Sequence, residues 1–522
     1  MHRNAAFKTT AFATLLLAST ACFGASAAAT ELRIALNSDI RSTTPGTNRD
    51  DNTDAVILHI VEGLVAYKED GSIGPLLAES VEMSDDGLTY TFRLRKGVTF
   101  QNGAPLTSAD VLWSWQRYMD PKTEWRCLPE FDGNGRNTVV AIEAPDDSTV
   151  VFKLKSPSAL FLATLARTDC GMTGILSKES VKADGSWDKP IGTGPFMLGE
   201  WKHDQYITLT KFAGHAPRSD GGTDGYTGAK KAMVDAVKFI IIPDASAAKA
   251  ALLSGDIDVL PNVAAVDAEE FKANENLNVT SAPGMDQNGI LFQTRDPLMG
   301  NPKLRQAIAA ALDAPQIVKA VTNGISTYNP SIVPAGSPYH TAVEDKGIPY
   351  DPAKAKQLLA EAGYKGEKIT LIASKEYMSV YNTAVYAQAM MQAAGINTDL
   401  QVIEWATHLD QYSSGKYQMM AFSYSARLDP ALNYEQVSGD KDKQPRKVWD
   451  NAQGLELIGE AFVESDKAKR QAIFDKIHTL FVEDTAMLPM YNSTSMAATA
   501  KNVQGFKAWV ADKPRAWNVS VE

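Results

Sequence analysis

Three cysteines in 522 residues, at 22, 127 and 170, leave no basis for a cysteine-ligated metal cluster, because no two lie close together in the chain. The seven histidines are no more suggestive, and His203 and His215 do not stand at a zinc-binding spacing. His59 lies in an apolar stretch, where a structural role is the plainer reading. No HExxH, GxSxG or P-loop occurs, and Ser246 and Ser254 have no catalytic neighbours. The glycines of 191–196 (IGTGPF) run straight into proline, where a phosphate-binding helix would have to begin. Acidic pairs such as Asp85-Asp86, Asp146-Asp147 and Glu269-Glu270 read as turns or helix starts. These absences argue against an enzyme, a metal site and a cofactor.

Long apolar runs are also missing after the first 29 residues. The early run, Ala11 to Ala18, is too short to span a bilayer. His2, Arg3 and Lys8 precede it and small residues from Gly24 to Ala29 follow, the three-part pattern of a secretory signal peptide. Residues 1–29 are therefore expected to be a removable leader, cut after Ala27 or Ala29. Lipid attachment at Cys22 is the alternative, although Ser19 stands where such signals usually carry leucine. Removing the leader takes away Arg3 and Lys8 and no acid, moving the net charge from −11 to about −13. That balance disfavours nucleic acid and anionic membranes as partners. Cys127 and Cys170 remain. In an oxidising compartment they are expected to form a disulfide worth about 3–4 kcal/mol, two buried free thiols being the alternative.

What is present is ordinary in bulk, 44% hydrophobic and 22% charged, and long enough for two or three domains. Leu32 to Leu36, Leu88 to Leu94 and Val150 to Leu154 alternate as strands do. Thr107 with Asp110 resembles a capping box ahead of a helix carrying Val111, Leu112, Trp115 and Met119. Beyond about Lys230 the texture becomes α/β. Strands are predicted at 237–242, 257–260 and 400–405. Helices are predicted at 245–253, from Asn301-Pro302, from Asp351-Pro352 and at 382–394. The glycine-rich stretch Arg218 to Gly228 is expected to be a mobile surface loop. Alternating helices and strands imply α/β domains with mixed sheets.

The segments Glu62 to Leu64, Pro75 to Ser80 (PLLAES), Ser84 to Tyr90 (SDDGLTY), Phe92 to Val98 (FRLRKGV) and Phe100 to Val111 (FQNGAPLTSADV) occur in close order. Ile191 to Phe196, Trp201, Asn301 to Ile308 (NPKLRQAI), Asp313, and Tyr350 to Gly363 follow at long intervals. Taken together, the chain resembles the family 5 extracytoplasmic solute-binding proteins of ABC importers for oligopeptides, dipeptides, nickel and related solutes. The resemblance spans essentially the whole mature chain. It implies an α/β, two-lobed periplasmic-binding-protein fold (type II-like, cluster C) with an extra small subdomain. Lobe I is expected to be discontinuous (30–65, 200–285 and 491–522), the small subdomain to be 66–199, and lobe II 286–490. It also implies a periplasmic monomer that closes on a small molecule and delivers it to an inner-membrane ABC permease, without membrane insertion.

The resemblance extends to the cleft segment Phe422 to Tyr434, and there the chain departs from the family's peptide pattern. Peptide binders carry Trp-x-x-Asp ahead of an Asp/Glu-Pro, with the first acid clamping the ligand's α-ammonium group. Aligned on Asp429-Pro430, the clamp position here is Ala426. Arg427 follows, a residue able to hold a carboxylate or phosphate bidentately, or to pair with Asp429 or another protein acid. The candidate binding residues are Arg427, Trp405, Tyr424, Ser425, Ala426, Asp429, Asn37, Ser38, Asp39, Arg136 and Asn137. Asp429 also suits a loop- or helix-holding role, and Trp405 a core position. An opine, amino-acid conjugate or sugar-like solute, an ordinary peptide, and a metal chelate stay open as ligands, as does a sensing role without transport.

Overall fold

A computed structural model of the chain describes residue 1 and residues 29–522 apart from 48, 49, 220, 376 and 512. The body of the expected leader, Cys22 included, lies outside the described residues. The larger lobe is built on a seven-stranded mixed sheet. In spatial order its strands are Leu277–Pro283, Thr494–Ala500, Val259–Leu260, Glu31–Leu36, Ala236–Ile241, Tyr206–Lys211 and Phe196–Lys202. Glu31–Leu36 pairs in parallel with Ala236–Ile241, Ile34 opposite Phe239. The alternation of Leu32, Ile34 and Leu36 puts these residues into one core with Val237, Phe239, Ile207 and Leu209.

A four-stranded antiparallel sheet (Ala78–Met83, Thr89–Leu94, Thr149–Leu154, Val139–Asp146) carries the helix Ser108–Met119. Trp115 meets Phe152 edge-to-face at 5.0 Å. The helix starts as its sequence implies, with Thr107 N donating to the Asp110 carboxylate at 2.9 Å and Asp110 N donating back to the Thr107 carbonyl at 3.1 Å. Cys127 and Cys170 are bridged, their Cα atoms 5.7 Å apart.

The second lobe centres on a five-stranded sheet, ordered Thr398–Val402, Ile369–Ala373, Met419–Tyr424, Gln287–Phe292, Met487–Tyr491. Side-chain alternation divides it between two cores. Ile290, Phe292, Met419 and Ala421 join helices Pro302–Ala311, Pro352–Glu361 and Met378–Ala393 on one face. Leu291, Met420, Phe422 and Tyr424 join helices Pro430–Val437, Ala452–Ala461 and Lys467–Asp484 on the other. Three helices begin with one device: Asn301, Asp351 and Asp429 each cap the first turn through the side chain, with proline next.

The chain crosses between lobes at 284–286 and at 492–493, side by side. Asp286 accepts from Ser493 N at 2.7 Å and Ser493 Oγ at 2.6 Å. Gly284 makes this approach possible, since a Cβ there would lie 2.3 Å from the Ser493 carbonyl oxygen.

Four sequence expectations change. The strand predicted at 400–405 is Thr398–Val402, because its partner ends at Ala373 opposite Val402, and Trp405 instead opens the helix Trp405–Ser414. The strand predicted at 257–260 shortens to Val259–Leu260, where Asp258 is engaged by the Arg33 guanidinium at 2.7 Å. The helix predicted at 382–394 starts four residues earlier, at Met378. The stretch Arg218 to Gly228 is anchored rather than a free loop. Arg218 is buried and donates to the carbonyls of Leu76 (3.2 Å) and Ala78 (2.6 Å), and Tyr226 packs 4.9 Å from the rings of both Trp509 and Trp517.

Candidate functional site

The strand Met419–Tyr424 runs toward the lobe crossing and leads into 425–429, whose Arg427 N donates to the Met285 carbonyl (3.3 Å). This segment, the helix Trp405–Ser414, the helix Pro430–Val437 and the stretch 444–447 enclose a cavity of about 530 Å³. A larger recess of about 720 Å³ lies at the far end of the same sheet. Two of its amides are engaged within the protein, Gln293 donating to the Gly415 carbonyl and Gln418 accepting from Thr370 N, each at 2.8 Å.

One wall of the cavity is aromatic. Trp405, Leu409 and Tyr412 fall on one helical face, and Phe422 and Tyr424 on one face of the strand. Tyr412 stacks on Phe422 at 4.3 Å, Phe422 meets Tyr424 at 4.9 Å, and Tyr377 leans on Trp405 at 4.5 Å. His408 is sandwiched behind, its Nε2 donating to the Ala421 carbonyl at 3.1 Å. Burial pushes its pKa down to about 4, so it is neutral packing.

The other wall is cationic. Arg427 donates to the neighbouring Ala426 carbonyl at 2.8 Å, and Arg446 to Gln444 Oε1 at 3.1 Å. The buried Lys447 donates to the Glu435 carbonyl. Among the described residues none of the three has a carboxylate within ion-pair distance. Desolvation and the nearby Arg167 guanidinium draw the Arg427 pKa down, and burial followed by Arg446 brings Lys447 to about 8. Glu435, the acid that lines the cavity, is taken by Arg136 from the small subdomain, and the Arg136 guanidinium also lies 3.9 Å over Phe462.

Of the residues proposed from sequence, Trp405, Tyr424, Ser425 and Arg427 meet in this cavity, with Ala426 exposed beside it. Arg136 reaches the cavity through its ion pair with Glu435, and the remaining five are placed elsewhere. Asp429 does not pair with Arg427. It caps its helix at Ala431 N (2.9 Å) and binds Arg470 through both oxygens, at 2.7 and 2.8 Å. Asn137 is buried between Thr164 Oγ1 (2.8 Å) and Ser158 Oγ (2.6 Å), leaving no room for a ligand. Asn37 and Ser38 are held by Asn52, at 2.8 and 2.6 Å. Asp39 fastens the turn after Lys202 by accepting from Trp201 Nε1 (2.9 Å) and Asp204 N (3.1 Å).

Leu409, Tyr412, Arg446 and Lys447 line the cavity as well, beyond the residues expected from the sequence. The spacing of Trp405, Leu409 and Tyr412 was a usable signal, three bulky residues one helical turn apart. Arg446 and Lys447 carry no local signal, since only the fold brings them to the strand end.

His59 is structural. Its Nδ1 donates to the Ala55 carbonyl at 2.8 Å, Nε2 accepts from Ala516 N at 3.0 Å, and burial lowers its pKa to about 3. Cys127, Asp169 and Cys170 lie within metal-binding reach of one another, but the bridged sulfurs offer no thiolate. No described helix is long and apolar enough to cross a membrane.

Comparison with known proteins adds to this geometry. The profile of "Bacterial extracellular solute-binding proteins, family 5 Middle" matches residues 72–444. The chain is 29% identical over 509 residues to the dipeptide-binding protein of Escherichia coli K12, covering 92% of this chain and 91% of that protein. Among solved structures it is similar to HbpA2 from Haemophilus parasuis, with 25% identity, a TM-score of 0.81, and coverage of 94% and 100%. It is also similar to the binding protein AgaA from A. tumefaciens R10 in complex with agropinic acid, with 28% identity, a TM-score of 0.66, and coverage of 94% and 99%.

Proposed function

Since this chain belongs to the family 5 bacterial extracellular solute-binding proteins, we propose that its cleft captures an acidic, non-peptide organic solute with an apolar portion, such as an opine or an amino-acid conjugate. The protein is the periplasmic binding component of an ABC importer, works with an inner-membrane permease, takes a small solute between two lobes and catalyses no reaction.

One observation carries the finer reading. In a chain of net charge −11, a single cavity gathers Arg427, Arg446 and Lys447 without a carboxylate partner among the described residues, while its one acid is neutralised by Arg136. Unpaired cations at a partly buried site favour an anionic ligand, and a guanidinium holds a carboxylate through two parallel bonds. The aromatic wall suits the apolar part of such a molecule. Alanine at 426 supports the same reading, because it supplies nothing to hold an α-ammonium group. The complex of AgaA with agropinic acid is a precedent at 28% identity.

In this reading residues 30–285 with 491–522 form one moving body and 286–490 the other, swinging about the paired crossings at 284–286 and 492–493. The ligand favours closure by contacting both.

Releasing small molecules from the purified protein by denaturation, and identifying them by mass spectrometry, tests the proposal. An organic acid is expected. A mixture of di- to pentapeptides would overturn it in favour of an ordinary peptide binder.

A further inference from the structure

The inner end of the Arg427 cavity holds a buried hydroxyl that the protein leaves without a well-formed hydrogen bond. Tyr424 lines the cavity and is 5% exposed, yet its hydroxyl makes no well-formed hydrogen bond. Buried hydroxyls left in this way are uncommon in native proteins. Tyr424 ends its strand on the same face as Phe422, and its ring meets Tyr412 edge-on at 5.9 Å. Its hydroxyl lies near that of Tyr412 without the distance and angle of a well-formed hydrogen bond, and Arg446 lines the same cavity. Burial pushes the Tyr424 phenol upward, so it is a neutral group with a proton to donate. Arg446 uses an N–H on Gln444 and meets no carboxylate among the described residues.

We propose that Tyr412, Tyr424 and Arg446 form a second anion subsite, which takes a carboxylate of the ligand other than the one held by Arg427. The inference rests on the cavity being the ligand site and goes further, because it calls for a ligand with two acidic groups separated by an apolar stretch. A carboxylate oxygen accepts more than one hydrogen bond, so one group can satisfy both phenols while balancing Arg446. An ammonium group would face the Arg446 charge and offer protons to groups that already have protons to give. A neutral hydroxyl would leave that charge unbalanced. Between the two anchors lie the stacked rings of Tyr412 and Phe422, 4.3 Å apart, which suit a carbon spacer.

Two synthetic probes separate this inference from the broader reading. N-acetyl-phenylalanine carries one carboxylate and N-succinyl-phenylalanine two, on the same aromatic body. Calorimetric titration of the whole protein is expected to show the diacid binding about tenfold tighter. Tyr424→Phe should erase that preference and leave the monoacid within about twofold of its original affinity. Arg427→Ala should weaken both probes. Because Tyr424→Phe removes an unpaired buried hydroxyl, the ligand-free variant should melt no lower than the parent, and about 1 °C higher if the site repacks.

If Arg427→Ala weakens both probes but Tyr424→Phe keeps the diacid preference, the subsite is overturned and the acidic-solute reading stands. A Tyr424→Phe variant that melts lower without ligand gives the hydroxyl a structural role and also overturns the subsite. If neither probe binds the parent at about 10 mM, or Arg427→Ala changes neither, the acidic-solute reading falls and the subsite with it.

Discussion

The pair between Asp429 and Arg470 holds the segment that carries Arg427, and replacing Arg470 with leucine tests that role. The Arg470 side chain is 4% exposed and that of Asp429 13%, and two bonds of 2.7 and 2.8 Å join them. Arg470 also donates to the Ala461 carbonyl at 2.8 Å. Arg470→Leu removes these three bonds and a longer one to the Tyr339 hydroxyl at 3.4 Å, and leaves a largely buried carboxylate without its cation. Breaking a buried pair from one side costs about 3–5 kcal/mol. Asp429 keeps some compensation from Ala431 N and the helix N-terminus it caps, worth about 0.5–1 kcal/mol, so the lower end, about 3 kcal/mol, is expected. Removing both charges in Asp429→Asn with Arg470→Leu should recover much of that loss, because the asparagine still caps the helix and no charge is stranded. Urea unfolding followed by tryptophan fluorescence measures the double-mutant cycle. A single-mutant cost below about 1 kcal/mol, or additive losses in the double variant, would refute the reasoning. Ligand affinity should fall in Arg470→Leu as well, since the loop bearing Arg427 loses its anchor.

Other outcomes follow from the same geometry. Arg427→Ala should weaken binding of the acid recovered from the protein by about 10- to 100-fold with little change in melting temperature, as the side chain makes no ion pair to lose; calorimetry checks it. Burial raises the Asp54 carboxyl to about 8, so between roughly pH 4 and 8 the folded chain keeps a proton that the unfolded chain releases. Stability should therefore fall as pH rises through that window, by up to about 1.4 kcal/mol per unit. Asp54→Asn should flatten the dependence, and parallel melting profiles against pH for variant and parent would contradict it. Replacing Cys127 and Cys170 with serine opens a bridge between residues 43 apart and should cost about 4 kcal/mol, read from urea unfolding. The loss should centre on Trp125, whose indole donates to the Cys170 carbonyl at 3.0 Å.

The fold was legible wherever its causes are local. Asn301-Pro302, Asp351-Pro352 and Asp429-Pro430 mark helix starts because a capping side chain and a fixed φ act within one turn. Thr107 with Asp110 works in the same way. Alternation exposed the strands, since the side-chain period of a strand is written in neighbouring residues. The limits of strands were less readable: Thr398–Val402 stops where its partner stops, and the partner is set by tertiary pairing.

The sequence alone determined the class of protein, the strand and helix pattern, and Ala426-Arg427 as the place where the cleft departs from a peptide clamp. Only the tertiary structure decided which charges are free to meet a ligand. Asp429 is occupied by Arg470, 41 residues away, and Glu435 by Arg136, 299 residues away. Arg427, Arg446 and Lys447 stay without an acid among the described residues. An ion pair depends on distance in space, which falls off within a few ångströms, and no spacing along the chain encodes it. The same holds for the unpaired hydroxyl of Tyr424, which only burial against Phe422 and Tyr412 makes significant.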